Sequence, residues 1–257
     1  MIFLLFYGES DIGNVRQENQ DCFSITQLSD SVLLAAVYDG MGGLSSGAHA
    51  SSSARDCFVK YVTKNLEKYK KASGKIVLND DTVVKNILSE AIARTNHMLY
   101  METISSTRSE MMGTTIACVL IIGKKTYVCH VGDSRVYALA SGRIVRLTED
   151  HSLVQYLVDT SMISRAEASK HPDKNVLTRA IGTDETVSPD ISVTVPPKTK
   201  YYLICSDGLT LHVSDAEMEA VLTRDTDAKE KVESLISLAK SRGGRDNVTA
   251  IVIGPLL

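Results

Sequence analysis

The chain contains no tryptophan, and phenylalanine and tyrosine bring its aromatic content to only 5% of 257 residues. Platforms on which nucleobases stack are therefore not evident. A basic run is also lacking, and a net charge of −3 with a pI near 6.1 gives no electrostatic basis for binding nucleic acid. No segment reaches the ~20 apolar residues that span a bilayer. The N-terminal apolar run, Met1–Phe6, is too short for a signal or membrane segment and has no basic lead. It is expected to be an edge or core strand. Cysteine is sparse: Cys22, Cys57, Cys118, Cys129 and Cys205 are scattered, with no Cys-x-x-Cys pair. They read as small buried hydrophobes in a reducing, cytoplasmic setting. Internal repeats, linkers and low-complexity segments are absent. With 44% hydrophobic residues, one domain over residues 1–257 has ample material for a core.

What the chain does have is one design, repeated. Val32–Val37 is an aliphatic run bounded by polar residues and reads as a buried strand. It runs into Tyr38-Asp39-Gly40-Met41-Gly42-Gly43. An acid where such a strand stops is held by a rigid element yet emerges into a loop. Gly40, having no Cβ, leaves its carbonyl open to a close partner such as a cation. A lone Asp-Gly is most simply a turn. The pattern recurs, however. Tyr201–Ser206 ends in Asp207-Gly208, Thr126–Val131 ends in Gly132-Asp133, and Gly243-Gly244-Arg245-Asp246-Asn247 opens Val248–Ile253. If these strands lie side by side, the carboxylates converge. Carboxylates without cationic neighbours repel one another, so the cluster is expected to hold divalent metal.

Between these acids the periodicity switches. Ile2–Tyr7 is expected as a strand, Gly8–Gly13 as a turn-rich loop and Cys22–Thr26 as a short strand. Apolar positions at helical spacing predict helices over Gly47–Tyr69 and from about Asp80 to Met101, the second capped by Asn79, Asp80 and Asp81. Thr115–Ile122, Thr126–Val131, Arg135–Ala140 and Ile144–Leu147 read as an antiparallel meander with tight turns. Asp150–Ile181 is a polar, locally helical excursion with a capping box at Ser164–Glu167. Strands Ile191–Val195 and Lys200–Ser206 follow, joined by a Pro196-Pro197 turn. A helix capped at Ser214–Glu217, another over Lys229–Ser241 and strand Val248–Ile253 close the chain. The expected class is α+β.

Taken together, several stretches resemble one motif series. They are Gly13-Asn14-Val15-Arg16 with Asn19-Gln20-Asp21, the Val37–Gly43 stretch, Gly113-Thr114-Thr115 and His130–Arg135. Leu147–Ser152, Thr178–Gly182, Cys205–Leu209 and Arg245–Thr249 continue the series. The match, in order from Gly13 to Thr249, is similar to the metal-dependent type 2C protein serine/threonine phosphatases in their bacterial form. The resemblance implies an α-β-β-α sandwich, two antiparallel sheets flanked by helix pairs, with a metal site at one end of the sheets. It implies that Asp39 bridges two Mn²⁺ or Mg²⁺ ions, with the Gly40 carbonyl, Asp207 and Asp246 completing their protein ligands. It makes Asp133 a ligand of a third ion, Asp21 an acid that holds metal-bound water, and Arg16 the phosphate clamp. An all-oxygen donor set suits these hard cations and not zinc. Water activated by two metals attacks phosphorus in line, with no covalent enzyme intermediate.

The implied function is a monomeric cytoplasmic phosphatase that acts on phosphoserine and phosphothreonine proteins and opposes a serine/threonine kinase. Two other readings stay open here: a catalytically weak metal-binding scaffold, and a hydrolase of small phosphoesters. The chain departs from the pattern in places. Met41 and Leu44 stand where many relatives carry histidine, which leaves the general acid open. His49 reads as a helix-surface or structural residue, and Gln20, where some relatives have glutamate, argues against direct metal ligation at that position. His130 reads as a strand residue facing core or surface, and His151 as a cap for the excursion. The excursion corresponds to the family's flap, whose contribution to the third metal site is open.

Overall fold

The computed structural model describes residues 5–43, 46–105, 111–168, 170–193 and 198–256. In chain order its strands and helices are β1 (Phe6–Asp11), β2 (Asp21–Ser29), β3 (Val32–Met41), α1 (Ser46–Glu67), α2 (Asp81–Ser105) and β4 (Gly113–Thr114). Then come β5 (Ile116–Ile122), β6 (Lys125–Val131), β7 (Arg135–Ala140), β8 (Arg143–Arg146), α3 (Leu153–Asp159) and α4 (Arg165–Ala168). The chain continues through β9 (Asp190–Ser192), β10 (Thr199–Cys205), α5 (Asp207–Thr210), α6 (Asp215–Leu222), α7 (Ala228–Ser241) and β11 (Val248–Ile253).

Alternating side chains decide how these stack. In β3, Val32, Leu34, Ala36 and Tyr38 enter one buried cluster, while Leu33, Ala35 and Val37 enter another. A strand apolar on both faces needs a layer on each side. The first cluster is completed by α1 and α2, through Ala54, Phe58, Val62, Leu88 and Leu99. The second is completed by the opposite sheet, through Val136, Tyr202, Ile204 and Ile251. Beyond that sheet, Leu203, Cys205 and Ala250 meet Val221, Val232, Leu235 and Ala239 of α6 and α7. The order helix pair, sheet, sheet, helix pair is the expected α-β-β-α sandwich. One sheet runs β1-β11-β10-β7-β8 and the other β2-β3-β5-β6-β9, with β4 added to β3; every pairing is antiparallel.

Helix caps follow the sequence closely. Asp80 Oδ1 accepts the Thr82 N–H at 2.9 Å, and the Glu167 and Glu217 carboxylates accept the Ser164 and Ser214 N–H groups at 2.8 and 3.0 Å. Ser152, not His151, caps α3, its Oγ accepting from the Gln155 N–H.

Three expectations change. The stretch Gly8–Asp11 is strand and not loop, because β11 pairs with it residue for residue from Phe6↔Ile253 to Asp11↔Val248. Gly8 also leaves room for the Phe23 ring, which a Cβ there would meet at 2.9 Å. The meander is split: β5 and β6 lie in one sheet, β7 and β8 in the other. Gly132–Ser134 is thus a crossover between sheets, and Gly132 sits at φ +104 with Thr115 Cγ2 only 2.6 Å from where a Cβ would be. Lastly, β3 continues through Asp39 to Met41, because β4 pairs with Gly40 and Met41. Residues 1–4, Leu44 and the Pro196-Pro197 turn lie outside the described residues. Among the described residues all five cysteines are free, with Cys118, Cys129 and Cys205 buried. No helix among them is long and apolar enough to cross a membrane.

Candidate active site

Five acids come together at one end of the two sheets. Asp21 opens β2 directly opposite Asp39 on β3. Asp207 follows β10 as the first residue of α5, Asp246 precedes β11, and Asp133 stands on the crossover after β6. Antiparallel pairing explains this, since the end of β10 and the start of β11 are neighbours, as are the start of β2 and the end of β3.

The glycines flanking the acids are there for backbone contact. A Cβ on Gly40 would lie 2.1 Å from the Gly47 carbonyl oxygen, and one on Gly208 would lie 1.9 Å from that of Asn247. Either is closer than any real Cβ contact, so side chains are excluded at both places. Gly40 N–H donates to Gln20 O at 3.1 Å. Asn247 ties the loops together. Its Oδ1 accepts the Gln20 N–H at 2.9 Å, and its Nδ2 donates to Ile12 O and Glu18 O at 3.0 Å each. The Asp39 carbonyl accepts from Thr115 N–H at 2.8 Å and Thr114 Oγ1 at 2.9 Å, which joins β3 to β4 beside the acids.

Electrostatically the cluster is strained. Burial is the main cause that raises Asp39 and Asp207 well above the usual carboxylate range, with the neighbouring acids next. Burial also lifts Asp21 and Asp133 to about 6 each. Asp21 is opposed by two hydroxyls, Ser206 Oγ and Thr249 Oγ1, each donating to its Oδ2 at 2.7 Å. Asp39 faces Asp21 across the β2–β3 pairing, and the charges of Asp21 and Asp207 both act to raise it. Burial and mutual repulsion both disfavour the ionised forms of these acids. Among the described residues no lysine or arginine pairs with Asp21, Asp39, Asp133 or Asp207; Asp246 alone has one, Arg16 Nη2 at 2.8 Å. Divalent cations would balance the charge of the ionised acids, and every donor is oxygen.

The acids open on a cleft of about 550 Å³, also lined by Arg16, Gln20, Met41, Asn175 and Arg179. All seven residues assigned from sequence, Arg16, Asp21, Asp39, Gly40, Asp133, Asp207 and Asp246, are in this one place; Asp21 lies just behind the lining, against Asp39. No histidine is among the described lining residues. His49 lies on the helix surface, its Nε2 2.9 Å from Glu102. His130 is buried, with its Nε2 2.7 Å from Glu149 O and its ring stacked on His151. His151 is buried too, and its Nδ1 accepts the Gly132 N–H at 3.2 Å. Sequence reasoning missed the bracing of Asp21 by Ser206 and Thr249, the role of Asn247 and the presence of Asn175 and Arg179. Ser206 and Asn247 adjoin the motif acids and were findable; Asn175 carries no sequence signal.

A sequence profile described as Protein phosphatase 2C matches residues 8–249. The chain belongs to the protein phosphatase 2C family. It is 33% identical over 244 residues to the serine/threonine phosphatase stp of Listeria welshimeri, covering 95% of this chain and 93% of that protein. The solved structure of the S. agalactiae serine/threonine phosphatase is similar at a TM-score of 0.86 and 32% identity, covering 98% of this chain and 99% of that one. The catalytic domain of the serine/threonine protein phosphatase PstP, solved in complex with two manganese ions, is similar at a TM-score of 0.80 and 29% identity, with 99% of each chain covered. Phosphatase 2C membership thus rests on nearly the whole chain and on both sheets.

Proposed function

We propose that this protein is a metal-dependent protein serine/threonine phosphatase. The observation that carries the reading is the group of five carboxylates, four of them without a lysine or arginine partner among the described residues, beside a cleft in a phosphatase 2C fold. Asp39, the Gly40 carbonyl, Asp207 and Asp246 would hold two core ions, Mn²⁺ or Mg²⁺, and Asp133 a third. When bound, such ions supply Lewis-acid activation of water and neutralise charge at phosphorus. Asp21, whose Oδ2 is held by Ser206 and Thr249, would keep its other oxygen for water at the site. Arg16 exchanges Asp246 for the substrate, its guanidinium fork matching two phosphate oxygens. PstP with its two manganese ions supports the metal assignment by similarity.

The biological setting belongs to the same proposal: a cytoplasmic monomer acting in signalling on phosphoserine and phosphothreonine proteins, against a serine/threonine kinase. A scaffold without activity is disfavoured, since no site acid is lost. The small-phosphoester reading is tested with it. Phosphothreonine-peptide hydrolysis should require added Mn²⁺ or Mg²⁺ and stop with chelator, and should exceed turnover of small phosphorylated metabolites in kcat/KM. Full peptide turnover by metal-stripped protein would sink the metal-dependent mechanism.

A further inference from the structure

A second cleft, of about 750 Å³, continues from the first beneath the excursion at 150–181 and shares Asp133, Asn175 and Asp207 with it. Its position is fixed, because the two ends of the excursion are clipped together. Ser152 bridges Leu177, and Thr178 N–H donates to His151 O at 2.9 Å. Four cations line the cleft: Arg135, Arg146, Arg165 and Lys174. The first two converge on Asp150: Arg135 donates to both carboxylate oxygens, at 3.0 and 2.6 Å, and Arg146 Nη2 lies 2.6 Å from Oδ1. One acid therefore answers two guanidiniums. Glu149 is engaged by Gln155 Nε2 at 3.1 Å. Arg165, on α4, and Lys174 are exposed, and no described carboxylate pairs with either.

The remaining acids of the cleft, Asp133 and Asp207, are the ones assigned to metal. Once they are engaged by cations, four positive side chains face only Glu149 and Asp150. A peptide whose phosphorylated residue sits at Arg16 would have its neighbouring residues in this basic groove. We propose that the groove selects protein substrates with acidic residues flanking the phosphoserine or phosphothreonine, through Arg165 and Lys174. This rests on the phosphatase reading given above and adds the substrate class to it.

The test compares kcat/KM for two phosphothreonine peptides of equal length. One is flanked on both sides by aspartate and glutamate, the other by serine and glycine. Each exposed ion pair is worth up to about fivefold, so the wild type should prefer the acidic peptide by roughly five- to twentyfold, less at high salt. Arg165→Glu combined with Lys174→Glu should erase or invert that preference, and Arg165→Lys should keep it. Both substituted positions are exposed, so the fold should tolerate them. Equal kcat/KM for the two peptides in the wild type would overturn the groove while leaving the phosphatase reading intact, and so would a wild-type preference surviving in the double variant. Hydrolysis of neither peptide with Mn²⁺ present would overturn both.

Discussion

Arg16 and Asp246 meet at 2.8 Å across 230 residues of chain, with the arginine side chain 51% exposed. An exposed pair of this kind contributes at most about 1 kcal/mol to stability. A guanidinium on a phosphate contributes about 1.5–3 kcal/mol to binding. Arg16→Ala should therefore leave Tm nearly unchanged yet raise KM for a phosphothreonine peptide by roughly ten- to a hundredfold. If calorimetry showed Mn²⁺ affinity falling as far as kcat/KM, Arg16 would be a structural residue. At this scale the sequence was informative where an acid adjoined glycine at a strand end, as at Asp39, Asp133 and Asp207. It was silent on what braces those acids. Thr249 reaches Asp21 from 228 residues away, and nothing in either local sequence announces the contact.

Helices and central strands were legible for a local reason: Ala50, Ala54, Phe58 and Val62 in α1, or Leu33, Ala35 and Val37 in β3, display the period of the face they bury. Sheet membership was not, because hydrogen bonding between strands is set by distant partners. The split of β6 from β7 turns on Gly132, whose positive φ no sequence pattern displays. Gly208 tests the joint between β10, α5 and β11. A Cβ there would strike backbone, the Asn247 carbonyl at 1.9 Å, and no side chain can move to relieve it. Gly208→Ala should cost about 3 kcal/mol or more in chemical denaturation and weaken Mn²⁺ binding, since Asp207 and Asp246 flank the contact. A variant with wild-type stability and metal affinity would mean that the two strands separate there freely.

Across the whole molecule, charge and fold pull against each other. Asp21 and Asp133, lifted to about 6 from 3.8 chiefly by burial, keep protons that the unfolded chain gives up near 4. Their stabilising contribution is full below about pH 4 and is lost as pH rises through 6. His151 has the opposite sign. Burial, then His130, pushes it down to about 4, so its contribution is present above about 6.5 and fades as pH falls. In the metal-free protein these trends oppose each other. In the Tm gain on adding Mn²⁺ the His151 term cancels, and that gain should be larger at about pH 7.5 than at about pH 5.5. Equal gains would mean that the acids do not exchange protons for metal. The convergence of the acids was readable from the repeated strand-end pattern, whereas the burial that raises their pKa emerged only from the packed sheets.

The most direct measurement is the Mn²⁺ content, after loading and desalting, of the wild type, Asp39→Asn and Asp133→Ala, with circular dichroism to verify folding. Asp39 faces Asp21 and adjoins Asp207 at the centre of the cluster, and is assigned to both core ions; Asp133 is assigned to the third alone. The wild type and Asp133→Ala should each retain two ions, and folded Asp39→Asn should retain almost none. Two ions retained by Asp39→Asn would contradict the site.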